Sequence, residues 1–261
     1  SPISAVIGFL GILKVNKEGT GFTFGFAIIM VVVVGALLSL AAMGLKPFQK
    51  ENLKQEQMKN ILGSVGIEVE MSEASANFDK FIVKRIMLDS DGNVLNEKSG
   101  QIATLANDGQ DAFDADPFNA DIKKEYRGLA SSERRYPLFI CEKDGQTLYI
   151  VPMVGKGLWG PIWGFISLKD DLNTVYGANF DHKTETPGLG AEINTSLFTD
   201  QFKDDRIFDE KGEFTSIAVK KSATGDNPHA VDGITGGTIT SVGVSEMVER
   251  TLKVYVPYFK N

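Results

Sequence analysis

Between Asp232 and Ser241 the chain reads DGITGGTITS, a carboxylate followed by glycines and hydroxyls, with no histidine or cysteine among them. Hydroxyls on so bare a backbone admit three chemistries. Unpaired N–H groups ahead of a helix can cradle a phosphate. A threonine or serine can act as a nucleophile if a base activates it. Or the hydroxyls cap a helix and the glycines make the turn into it. Against the first, the loop lacks the lysine of a P-loop, and its glycines do not fit the dinucleotide pattern. Against the second, the chain's 2 histidines are His182 and His229, and no triad pattern surrounds either. Taken alone, these residues favour the cap and turn.

Whatever the loop does, a helix must position it. Val244, Met247, Val248, Thr251, Leu252 and Tyr255 fall on one helical face, and Ser241 is placed to cap that helix. Upstream, FIVKRIML (81–88), YPLFICEK (136–143), TLYIVPMV (147–154) and GFISL (164–168) are strand candidates, rich in β-branched and aromatic residues. Asp91-Gly92 and Asp144-Gly145 mark hairpin turns. The polar region 104–135 reads as loop plus a short helix. Its acidic residues lack the order and closing glutamate of an EF-hand, so a solvated face is the better account. The pattern is α+β.

The chain has 261 residues, 43% hydrophobic and 23% charged, an ordinary globular mix. Its net charge of −7 and the lack of a basic stripe argue against nucleic acid as a partner. The 1 cysteine, Cys141, excludes an internal disulfide or a CxxC metal site and reads as a buried, inert thiol. Residues 1–13 are apolar but too short to span a bilayer. From Gly19 through Leu45 there is no charge, and FAIIMVVVVGALLSLAAMGL shows no polar face. It is long enough for a membrane helix and long for a signal peptide cleaved near Ala41-Ala42. Lys14 and Lys17 precede it, while Lys46, Lys50, Lys54 and Lys59 follow. That count puts the following domain on the cytoplasmic side. The expected division is an N-terminal segment 1–20, a transmembrane helix 21–45, a connecting helix 46–70 and a β-rich domain 71–261.

VDGITGGTITSVGV resembles the flavin-attachment loop of the FMN-binding domains that receive FMN from a flavin transferase. The family pattern is an aspartate, two variable residues, Ser or Thr, Gly, usually Ala, then the acceptor Thr. Here that reads Asp232, Gly233-Ile234, Thr235, Gly236, Gly237 and Thr238, with glycine at the usual alanine position. TETPGLGAEI (184–193) resembles the family's ETPGLG loop. GKGLWGPIWGFISL (155–168) resembles the GLW hairpin of the branch that serves as C subunit in Na+-translocating NADH:quinone reductases. The N-terminal apolar helix and the stretch GLKPFQKENLKQEQMKNIL that follows are similar to that branch too. The resemblance covers nearly the whole chain beyond residue 25.

The resemblance implies an α+β, membrane-anchored flavoprotein subunit with FMN esterified through its phosphate to Thr238. Asp232, Thr235, Gly236, Gly237 and Thr240 would form the attachment loop; because a carboxylate repels a phosphate, Asp232 is expected to serve the transferase reaction, by holding Mg2+, rather than the finished site. Lys156, Gly157, Leu158 and Trp159, together with Glu185, Thr186, Gly188, Leu189 and Gly190, would wall the isoalloxazine; the alternatives are ordinary core packing for Trp159, a capping or loop carboxylate for Glu185 and a solvated side chain for Lys156. The N–H groups of 188–190 would meet its polar edge, and Leu158, Trp159 and Leu189 would supply apolar contact. No residue is assigned a catalytic or metal-ligating role in the finished site, and the chain alone holds no complete active site. Electrons from NADH would arrive through iron–sulfur carriers of other subunits and leave for a second FMN-bearing subunit, in a complex that reduces quinone (ubiquinone) and exports Na+. The implied place is the bacterial inner membrane, single-pass, with the flavin domain on the periplasmic side, against the lysine count. The rivals are the G subunit of an Rnf-type ferredoxin:NAD complex and a non-flavinylated tethered module.

Overall fold

The computed structural model describes residues 19–223 and 227–260; the apolar run at residues 1–13 lies outside them. Helix α1 spans Thr20–Ser64, with Pro47 inside it. The chain divides within it, after Leu53. In the first unit Phe24, Ile28, Val31, Leu38 and Met43 are all exposed. Among the described residues this is the one helix long and apolar enough to cross a membrane.

The second unit, Lys54–Asn261, begins with the last turns of α1. Met58, Ile61 and Leu62 are buried there, because spacings of three and four put them on one face. Residues 71–81, expected to be β, are helical instead: a 3-10 turn at Met71–Glu73 precedes α2, Ala74–Phe81. Ala74 and Phe78, four apart, supply its buried side. Six strands follow: β1 Ile82–Leu88, β2 Val94–Lys98, β3 Tyr136–Lys143, β4 Gln146–Lys156, β5 Pro161–Leu168 and β6 Val175–His182. They form one antiparallel sheet in the order β2-β1-β3-β4-β5-β6. Asp144 and Gly145 have φ of 52° and 75°, the pair of left-handed residues that a two-residue hairpin requires.

The region 104–135 is more helical than expected. It holds α3, Leu105–Ala115, and α4, Ile122–Gly128. Gly109 breaks the regularity of α3 with φ 79°, and neither stretch carries a long apolar stripe for a sequence reading to find. A buried ion pair fixes the region: Arg85 donates to both carboxylate oxygens of Asp116 at 2.9 and 2.8 Å. The chain then passes through α5, Ser196–Thr199, and the short parallel pair β7 Ala218–Lys220 and β8 Ala230–Asp232, to α6, Thr238–Phe259.

Alternation along the strands feeds two cores. Phe139, Cys141, Ile150 and Phe165 pack with Met58, Ile61 and Phe78. Leu138, Val151, Met153, Ile162 and Ile166 pack with Val244, Met247, Val248, Leu252 and Tyr255 of α6. All six α6 positions read as one face are buried. Polar contacts fix that helix along the sheet: Arg250 donates to the Val154 carbonyl at 2.7 Å and the Tyr255 hydroxyl to the Pro137 carbonyl at 2.8 Å. Burial pushes the Cys141 thiol up to about 11, as expected of an inert cysteine.

Candidate functional site

The loop 157–160 joins β4 to β5, with Lys156 paired to Pro161 and the Gly157 N–H donating to the Gly160 carbonyl at 2.8 Å. Pairing of Ile162 with His182 and an N–H bond from Lys183 to Pro161 then put the exit of β6 beside it. The next loop is thereby delivered to the same sheet end. In it Leu189 N–H donates to Thr186 at 3.1 Å, around Pro187 and Gly188, whose φ is 75°. Proline second and a left-handed glycine third define a type II turn, which explains the order T-P-G-L.

The hydroxyl loop builds a related turn. Gly237 N–H donates to Ile234 at 2.9 Å, and Gly236 between them has φ 76°. A Cβ at 236 would meet Leu189 Cδ2 at 2.6 Å, and one at 237 would lie 3.2 Å from the Gly190 nitrogen. The hydroxyl loop therefore packs on the T-P-G-L turn. Gly237 itself, with φ −105°, needs no special freedom, so the family's usual alanine would meet only mild crowding.

Ser241 is not the helix cap. Helix α6 starts at Thr238, behind Gly237. Ser241 lies buried in the first turn and its Oγ accepts from the Ile234 N–H at 3.0 Å, so it fastens the turn to the helix. Thr238 is exposed at the first helical position, and the first turn carries no acidic residue. Free N–H groups and the dipole there favour an anion.

Glu185 joins the three loops. The residue is 5% exposed; Oε1 accepts from the Trp159 N–H at 2.9 Å and Oε2 from the Thr240 hydroxyl at 2.6 Å. Such bonds are individually worth about 1.5–3 kcal/mol when the acceptor is charged. Its own N–H donates to His182 Nδ1 at 3.2 Å, at the end of β6. The side chain of Trp159 is outside the core, the residue being 66% exposed, and Leu158, Leu189, Ile239 and Val242 are exposed apolar residues as well. Thr186, Gly188 and Lys156 are exposed without a buried role. Of the three N–H donors expected to face the flavin edge, two are engaged within the chain: Gly188 to Glu192 Oε1 at 2.9 Å and Leu189 to Thr186.

Asp232 ends β8 and is exposed. Its Oδ1 accepts from Ala223 N–H at 2.6 Å, and its own N–H donates to Gln201 Oε1 at 2.9 Å. It lines a polar cavity of about 410 Å³ together with Gln201, Asp204 and Asp205. Burial, then the Asp204 charge, push Asp205 up to about 7. His229 Nδ1 lies 2.6 Å from the Arg206 carbonyl. Thr235 is exposed on the turn.

The sequence reading missed Ile239, Val242 and Gln201. For the first two a signal existed: they lie on α6 off the apolar face that Val244 and Met247 define. Gln201 gave none, since its contact with Asp232 spans 31 residues. Trp163, in the same hairpin stretch, serves packing: Lys123 Nζ sits 3.1 Å from its ring centroid, and burial lowers that lysine to about 8.

Residues 157–253 match the FMN-binding domain family. The chain is 32% identical over 250 residues to the C subunit of the Na+-translocating NADH-quinone reductase of Pseudomonas aeruginosa, covering 89% of this chain and 91% of that one. It is 30% identical over 238 residues to the corresponding protein of Haemophilus ducreyi, covering 88% and 89%. Among solved structures, the C subunit of the same kind of reductase from Parabacteroides distasonis is 38% identical and superposes with a TM-score of 0.69, covering 83% of this chain and 98% of that one.

Proposed function

This chain belongs to the family of C subunits of the Na+-translocating NADH-quinone reductases, and from that premise we propose that Thr238 carries FMN as a phosphoester and that the chain relays electrons through it. The chain is a flavoprotein subunit of such a complex; the reading as an Rnf-type G subunit is set aside. The observation that carries the proposal is the convergence of three loops on one sheet end, with an exposed threonine hydroxyl at the start of a 22-residue helix.

The residues fit the group. Gly236 packs so closely on Leu189 that a side chain there would crowd it, and Thr238 beside it is exposed. N–H groups of the first turn of α6 hold the phosphate charge. Leu158, Trp159 and Leu189 offer exposed apolar surface to an aromatic ring system, with Gly157 and Gly190 shaping the loops behind it. Lys156 adds a positive charge beside them. Bound FMN supplies one- and two-electron chemistry that no side chain here offers. Asp232 precedes the acceptor turn and would serve the flavin transferase during attachment, by holding Mg2+, while Thr235 is part of the turn itself.

The exposed apolar helix within 21–45 spans the bacterial inner membrane once, 46–70 connects it, and 71–261 carries the flavin on the periplasmic side. Iron–sulfur and FMN-bearing subunits of the same complex are the electron partners, and the assembly couples quinone reduction to Na+ export. Mass spectrometry of the peptide spanning 222–250 from native membranes tests the attachment. It is expected heavier by FMN less one water; an unmodified mass would remove the proposal. Protease accessibility in spheroplasts tests the side, with cleavage expected from outside.

A further inference from the structure

We propose that Glu185 and Thr240 are positioning residues, a latch that sets the spacing of the hairpin 157–160 and the first turn of α6 before any flavin is attached. Two residues read from sequence as cofactor contacts are turned instead toward each other: Thr240 is 1% exposed and its hydroxyl donates to Glu185 Oε2 at 2.6 Å. The other oxygen of Glu185 takes the Trp159 N–H at 2.9 Å. One carboxyl thus ties a backbone atom of one loop to a side chain of another, across separations of 26 and 55 residues.

The slot for that carboxyl is built by glycines from two different motifs. A Cβ on Gly157 would lie 2.5 Å from Glu185 Oε1. A Cβ on Gly190 would lie 2.6 Å from Oε2 and 2.5 Å from Thr240 Oγ1. Neither Gly157 nor Gly190 has a left-handed φ, so backbone freedom does not demand glycine there, whereas the space does. A buried acceptor pair walled on two sides and satisfied on both oxygens costs much to rearrange. Thr238, two residues before Thr240, is held relative to Trp159 by the same link. Preorganisation of this kind removes the ordering cost from cofactor attachment.

The inference rests on Thr238 being the acceptor only for what the latch serves; the latch itself is testable without flavin. Amide hydrogen exchange is measured on the whole chain in detergent, expressed without a flavin transferase. Glu185→Ala and Thr240→Val are expected to speed exchange at the Trp159 amide roughly tenfold or more. Glu185→Gln and Thr240→Ser are expected to restore near wild-type exchange: glutamine can still accept from Trp159 and donate to the Thr240 hydroxyl. Wild-type exchange at Trp159 in a folded Thr240→Val or Glu185→Ala chain overturns the latch. So does failure of both conservative variants to rescue. In parallel, coexpression with the transferase scores covalent flavin. Altered exchange in the alanine and valine variants of a chain that never acquires flavin keeps the latch and removes the acceptor reading; full flavin with unaltered exchange does the reverse.

Discussion

Two apolar surfaces of this molecule face outward, and they are made in opposite ways. Along residues 24–45 the surface is local: each turn of α1 exposes apolar side chains on all sides, and composition alone creates it. Around Thr238 the surface is assembled: Leu158, Trp159, Leu189, Ile239 and Val242 come from three stretches that only the sheet and α6 bring together. The first needs a solvent other than water. On the reading proposed above, the second suits a ligand of limited size and defined shape. A continuous surface tolerates exchange of one aliphatic residue for another; an assembled one depends on the turns and hydrogen bonds that gather it.

Substitutions can break that contrast. The largest effect is expected from Thr238→Ala: covalent flavin fluorescence in a denaturing gel vanishes, while the thermal midpoint stays near that of the unmodified wild-type chain. Next is Val33→Asp in the apolar helix, where a carboxylate at mid-membrane costs about 3 kcal/mol; carbonate extraction should release a much larger share of the chain. Gly236→Ala forces a left-handed alanine, a cost of about 1–2 kcal/mol, and its Cβ presses on Leu189. The urea midpoint should fall and flavin loading with it, while Gly237→Ala, with an ordinary φ and looser contacts, should cost less.

Smaller changes sharpen it. Trp159→Ala should leave stability within about 0.5 kcal/mol, as expected for an exposed side chain, yet shift the flavin absorption band. If stability falls as for a core tryptophan, the assembled surface is wrongly drawn. Smallest is Asp205→Asn, in the cavity beside Asp232 and part of neither apolar surface. Asp205 holds its proton up to about 7 in the fold and releases it near the ordinary carboxyl range when unfolded. The folded form therefore binds more protons between about pH 4 and 7, and stability declines as pH rises through that window. Asparagine should flatten this slope, raising the thermal midpoint at pH 8 and not at pH 4. An unchanged midpoint at pH 8 would mean that water already satisfies the carboxylate.

The local surface was legible in the sequence, because a run without charge needs no knowledge of neighbours. Four of the six sheet strands were legible for the same kind of reason: β1, β3, β4 and β5 are dense in β-branched and aromatic residues and feed cores on both faces, whereas β2 and β6 are polar enough to have gone unread. The buried stripe of α6 followed from spacing alone. What sequence missed is non-local. The polar helices α3 and α4 have no stripe long enough to announce them. Ser241 looks like a cap until Gly237 proves to be the helix boundary. The exposure of Trp159 depends on a hairpin that stops at the sheet end. Glu185 looks like any loop carboxylate until strand pairing delivers Trp159 and Thr240 to its two oxygens.

Strand register has a consequence of its own. Loops 157–160 and 183–189 are neighbours because Lys156 pairs with Pro161 and Ile162 with His182. The sheet thus acts as a caliper whose jaws are those two loops. A single residue inserted in the interior of β5 or β6 would shift one jaw by about 3.4 Å and turn its side chains to the opposite face. A length change between the paired ends Lys156–Pro161 and Ile162–His182 is therefore expected to part the two loops, whereas the irregularity at Ser167/Leu168, at the far end of β5, leaves them together.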